Sequence, residues 1–290
     1  MKKTLLCIAL GALTGALTAT SAFAAPTTIL DTYIGATSGG SNPSTNTQDA
    51  TSDRYDIESM TANISTTAFT VSIKAREYND SFDGNTSYFH SWVNDDTDFW
   101  PGDLFISTNG WTPYATTGAG NGAPAYGKDN KVNGEQWEYA ISATDFSGNT
   151  TSPGVNTARP LSGVTKLLLT PGSDNSDFDI DSGSIRSGQV AEIDNSYVLG
   201  HASLATGGTW ALSDTNSNGV LDTMTYVFNN ASSAMSLING QQLGLYWTMS
   251  CANDVTQGGV VAVPEPESYA MLLAGLGLVG YRVRRRMRMN

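Results

Sequence analysis

One loop of this 290-residue chain has side chains spaced to bind an ion. Asp214-Thr-Asn216-Ser-Asn218-Gly219-Val220-Leu-Asp222 fits the pattern D-x-N-x-N-G-x-x-D. Short oxygen-bearing side chains at alternate positions can converge on one calcium ion. Gly219 permits the sharp turn, Val220 offers its carbonyl, and Asp222 binds directly or through water. The twelfth position is Thr225 and not the usual bidentate Glu, so one major ligand is missing. The flanks Thr209–Leu212 and Leu221–Phe228 read as strands and not as the helices of an EF-hand. The same residues therefore also make a plain hairpin connection turned by Asn218-Gly219. Calcium is the only cofactor the sequence suggests.

A second chemistry is sugar stacking. Aromatic residues crowd the stretch from Tyr88 to Tyr139, and most of them must fill the core. Trp100, Trp111 and Tyr114 sit beside Pro and Gly in loop-like sequence and are the candidates for a glycan-binding surface. Two acidic runs, Asp174/Asp177/Asp179/Asp181 and Asn94–Asp98, read first as solvated loops. Catalysis has little support. The two histidines lack a zinc motif, and there is no G-x-S-x-G elbow, Walker loop or H-E-x-x-H. The chain is not expected to be an enzyme, and a secreted hydrolase ranks third among the readings.

The elements that must position these residues are strands. Phe69, Val71, Ile73 and Ala75 alternate with polar residues, as do Trp137, Tyr139 and Ile141, and again Met224, Tyr226 and Phe228. Leu104–Ile106, Val164–Leu169 and Leu243–Met249 read as strands buried on both faces. Between them lie turn-forming stretches, 35–52, 116–134, 147–163 and 253–261. Residues 25–258 are therefore expected to form an all-β domain, a β-sandwich or jelly roll, with two sub-modules split near 147–163 as the alternative. Outside the two termini no amphipathic helix stands out.

Both termini read as targeting segments. Lys2-Lys3, an apolar run and Ala22-Phe23-Ala24 form a signal peptide over residues 1–24, with signal peptidase cutting before Ala25. At the other end a linker over 259–268 leads into thirteen uncharged residues, 269–281, about 20 Å of helix. That is short for a bilayer core of roughly 30 Å, but arginine stems can snorkel. The arginines of the basic tail 282–290 keep it cytoplasmic. Lys2, Lys3 and five tail arginines account for seven of the fifteen basic residues. The remaining eight face 27 acids, so residues 25–268 carry a net charge of −19. Such a field repels nucleic acid.

The order Val263-Pro264-Glu265-Pro266, short glycine-rich apolar helix, then Arg282, Arg284, Arg285 and Arg286 resembles the PEP-CTERM sorting signal. The resemblance implies a Gram-negative exporter and processing by exosortase, a membrane cysteine protease-transpeptidase. The tail would be a transient inner-membrane anchor, cut near Pro264–Pro266, with the exported part released or attached at the cell surface. A structural or adhesive role in an exopolysaccharide matrix or biofilm follows from that reading. A lectin-like module is the alternative.

Overall fold

The computed structural model describes residues 26–30, 56–65, 69–80, 84–87, 89, 101–111, 135–143, 161–169, 178–179, 190–229, 234–238, 240–250, 254–262, 275–277 and 279–280. The chain divides into two units, residues 24–264 and the two termini, 1–23 with 265–290.

In the first unit the strands are β1 (Thr27–Leu30), β2 (Ile57–Ile64), β3 (Phe69–Ala75), β4 (Tyr78–Asp80), β5 (Gly84–Thr86), β6 (Leu104–Ser107), β7 (Tyr139–Ala143) and β8 (Ser162–Leu169). They continue with β9 (Phe178–Asp179), β10 (Glu192–Ile193), β11 (Thr209–Ser213), β12 (Thr223–Phe228), β13 (Gln242–Thr248) and β14 (Val255–Val261). One short helix, α1, spans Asn195–Gly200. Ten strands form one antiparallel sheet in the order β1-β2-β3-β12-β11-β8-β7-β6-β13-β14. The pairs β9–β10 and β4–β5 stand apart from it.

The expected all-β character holds, but two stacked sheets do not. A single sheet curls until its edge strands meet in a barrel-like arrangement. A Cβ placed on Gly258 of β14 would lie 2.9 Å from Ile29 of β1, so the lack of a side chain lets the edges approach. Period-2 alternation could not foresee this, because a sandwich and a barrel both alternate inward and outward residues. The strands on either side of residues 147–163 pair directly, β7 with β8.

The alternation itself is kept. Phe69, Val71, Ile73 and Ala75 are fully buried between half-exposed neighbours, and Met224, Tyr226 and Phe228 point to the same core. Strands β6 and β13 are buried on both faces because residues 190–200 cover the outside of the sheet. Phe105, Trp137, Leu168 and Tyr246 there meet Val190, Ile193 and Val198 in a second apolar cluster. The covering segment is fastened by polar groups. The Tyr246 hydroxyl donates to Val190 O (2.5 Å), Asp103 N to Ala191 O (2.9 Å), and Ile193 N to Asp103 Oδ2 (2.8 Å). Lys166 Nζ donates to Val198 O and His201 O near the end of α1, where the last carbonyls lack helical partners.

Three expectations change. Residues 253–261 are not a polar loop: β14 fills 255–261 and is largely buried, paired with β13 and with Gly258 against Ile29 of β1. The linker therefore cannot begin at 259, and Ala262 is still inside the fold. Val164 and Leu169 are about half exposed and not buried on both faces, although Tyr197 of the covering segment donates to Leu169 O (3.0 Å). Among the described residues no helix is long and apolar enough to cross a membrane. Residues 275–277 and 279–280 are helical, and the remainder of 269–281 lies outside the described residues, as does the whole of 1–24.

Candidate functional site

The ion-binding candidate sits where sequence places it, between β11 and β12, and strands flank it as expected. Asp214 is fixed by its own loop: Oδ1 accepts from Asn216 N (3.1 Å) and Oδ2 from Gly219 N (2.7 Å). Ser217 and Gly219, at φ 58° and 91°, turn those N–H groups inward. These backbone donors, Gly219 foremost, hold the Asp214 carboxyl below the usual carboxylate range. Asn218 Oδ1 accepts from Val220 N (2.9 Å).

Asp222 is fully buried and accepts from Thr215 N (3.0 Å), Thr215 Oγ1 (2.5 Å), Asn216 Nδ2 (3.2 Å) and Thr223 Oγ1 (2.8 Å). Glu77, just past β3, completes the cluster. Its two oxygens take the side-chain amides of Asn216 (2.6 Å) and Asn218 (2.7 Å). Sequence reasoning missed Glu77, since no local spacing links it to the loop. Three carboxylates and two carboxamides thus meet, but as arranged the loop is closed by its own hydrogen bonds. Asn216 and Asn218 aim nitrogens at Glu77, and both would have to turn their oxygens inward to ligate a cation. Among the described residues no group of three or more His, Cys, Asp or Glu is placed to hold a metal.

Other carboxylates at this end also hold backbone. Asp254 accepts from Ile57 N (2.5 Å) and Val255 N (3.0 Å), and Asp56 pairs with Arg76 (3.1 Å). Nearby, burial pushes the Asp103 carboxyl up to about 8, against the opposing pull of the Ile193 N–H and the Ser142 hydroxyl. At the opposite end Glu135 accepts from Ser107 Oγ, and Glu138 from Thr108 N and Oγ1. These acids fasten strand ends and loops.

Of the stacking candidates, Trp111 falls among the described residues. Trp111 is half-buried and lies over Gly259, where a Cβ would be 3.5 Å from its own. Trp100 and Tyr114 lie outside the described residues, as do Ala22, Ala24, Ala25, Val263, Pro264, Glu265, Pro266, Arg282, Arg284, Arg285 and Arg286. Asp179 falls in β9, and the other acids of the two runs lie outside the described residues.

The described part of the barrel ends at Ala262. Its N–H donates to Gln241 O (2.9 Å) and its carbonyl accepts from Gly240 N (2.7 Å). Residues 262–286 match the family model described as the PEP-CTERM protein-sorting motif. No curated protein and no solved structure matches the chain. The motif marks an exported protein that exosortase processes.

Proposed function

We propose that this exosortase-sorted chain delivers an acidic β-barrel to the cell surface or the extracellular matrix, where it acts as a structural or adhesive component among exopolysaccharide. The observation that carries the reading is the sorting motif at 262–286, which begins on the last described residue of the barrel. Export begins with signal peptidase cutting before Ala25. The apolar stretch 269–281 then serves as a transient inner-membrane anchor until the tail is removed near Pro264–Pro266.

A non-catalytic role fits the use of acids within the fold. Asp103, Glu135, Asp222 and Asp254 are buried and each accepts hydrogen bonds from the protein's own groups, so none is left to act as a base in a cleft. The net charge of −19 over residues 25–268 suits a cation-bridged matrix, in which calcium would link acidic protein to acidic polysaccharide. The Asp214–Asp222 loop with Glu77 is the place for a protein-bound calcium ion.

Intact-mass measurement of the exported protein tests the sorting part. A product beginning at Ala25 and ending between Val263 and Pro266 is expected. Surface protein that still carries Arg288 would sink the reading.

A further inference from the structure

We propose that the barrel restrains its own processing: the first residue of the sorting motif is stored in the fold, and Gln241 is the positioning residue that keeps it there. The proposal rests on the reading that the tail is removed near Pro264–Pro266.

Gln241 uses all its polar groups at one junction. Its N–H donates to Ile238 O (3.1 Å), and its Oε1 accepts from Ile238 N (2.9 Å), closing the turn before β13. Its Nε2 donates to Thr108 O (2.7 Å), tying in the loop after β6. Its carbonyl takes the N–H of Ala262, while Gly240 N binds the Ala262 carbonyl. Ala262 is consequently 0 % exposed, and the ladder continues directly into Val261 opposite Gln242. Only Val263 separates this junction from Pro264.

A peptidase takes its substrate as an extended strand with backbone N–H and C=O groups free to pair. A cut near Pro264–Pro266 places Val261 and Ala262 among the residues that must enter the enzyme, and their backbone groups already belong to the barrel. Among the described residues β14 pairs with β13 alone, so its last residues can peel away while the rest of the sheet stays intact. When opening and closing are fast, cleavage follows the open population. The junction at Gln241 therefore sets the rate at which the tail is lost.

The test uses the full chain co-expressed with exosortase, with pulse labelling to follow loss of the Arg288-containing tail and intact mass to locate the cut. Two variants release Ala262 or bypass it. Gln241→Ala removes the side-chain bonds to Ile238 and Thr108. Insertion of Gly-Gly-Ser-Gly-Gly-Ser between Ala262 and Val263 leaves every bond of the junction in place and supplies free chain beside the motif. Both are expected to lose the tail about tenfold faster, the factor corresponding to about 1.4 kcal/mol of opening. The insertion cannot act by loosening the fold, so its acceleration isolates access to the enzyme. Wild-type cleavage with an insertion variant no faster would overturn the proposal and leave the sorting reading standing. Faster cleavage of the insertion variant alone would overturn the assignment of Gln241. Retention of Arg288 in the wild type and both variants would overturn the sorting reading and this proposal together.

Discussion

Two junctions at opposite ends of the barrel are held by different chemistry. At one end lie Asp56, Asp222 and Asp254, buried carboxylates that accept from backbone N–H groups, hydroxyls or Arg76. At the other, Glu135 and Glu138 hold Ser107 and Thr108, but the junction from which the sorting motif departs is closed by a neutral amide and main-chain groups. A buried carboxylate gathers several donors and leaves all of them stranded if removed, whereas an amide junction can be opened for one or two bonds. The acidic end is built to stay closed. The amide junction sits where the proposed processing would cut the chain.

Substitutions at the two ends should separate these roles. Asp222→Ala is expected to have the largest effect, lowering stability by about 3 kcal/mol, because Thr215 N loses its acceptor inside a closed site and three further donors lose theirs. Gly102→Ala tests the same end through packing. Its new Cβ would meet the backbone carbonyls of Thr248 and Ala191, which cannot turn aside, for about 2 to 3 kcal/mol. Gln241→Ala at the other end should cost about 1 to 2 kcal/mol, with half-exposed neighbours better able to recruit water. Urea midpoints rank all three. A Gln241 loss as large as that of Asp222 would erase the contrast.

The acid end should also respond to pH through Asp103, which anchors the covering segment at Ile193. Burial pushes its carboxyl up to about 8, against roughly 4 in an unfolded chain. Between those values the native state keeps a proton that the unfolded state has released, so this group's contribution falls as pH rises from about 4 to 8 and is level below that window. Asp103→Asn should flatten that slope in urea titrations at pH 5 and pH 8. An unchanged slope would show that Asp103 is ionised in the native state.

The contrast also explains what the sequence disclosed. Strands with strict alternation, β3 and β12, are legible because each makes its own inside and outside. Strand β14 is not, since Thr256, Gln257, Gly258 and Gly259 are buried only by what surrounds them. Closure into one sheet is invisible for the reason that Ile29 and Gly258 are neighbours only in space. The Asp214–Asp222 loop is a local pattern and was readable, while Glu77 and Gln241 act on partners far away in the chain. Sequence shows contacts made within one stretch and misses those that tie several stretches together.

The smallest expected effect bears on the readable site itself. Asp214 is half-exposed, and its carboxyl lies below the usual range because Gly219 and neighbouring N–H groups favour the charged form. Its contribution is thus present above the unfolded value near 4 and fades as pH falls through the lowered one. Without added ion, Asp214→Ala should leave the melting point of residues 25–264 close to that of the parent, since the remaining loop is held by Asp222 and Glu77. Calcium separates the two. Titration into the parent should show binding and a raised melting point, with Asn216 and Asn218 turning their oxygens from Glu77 to the ion, and Asp214→Ala should abolish both. Glu77→Gln should weaken binding without removing it, because Thr225 occupies the position where a bidentate Glu would otherwise sit and Glu77 is the carboxylate that can replace it. A parent that takes up no calcium would reduce the loop to a self-closed hairpin, and the acidic end would then differ from the exit end in rigidity alone.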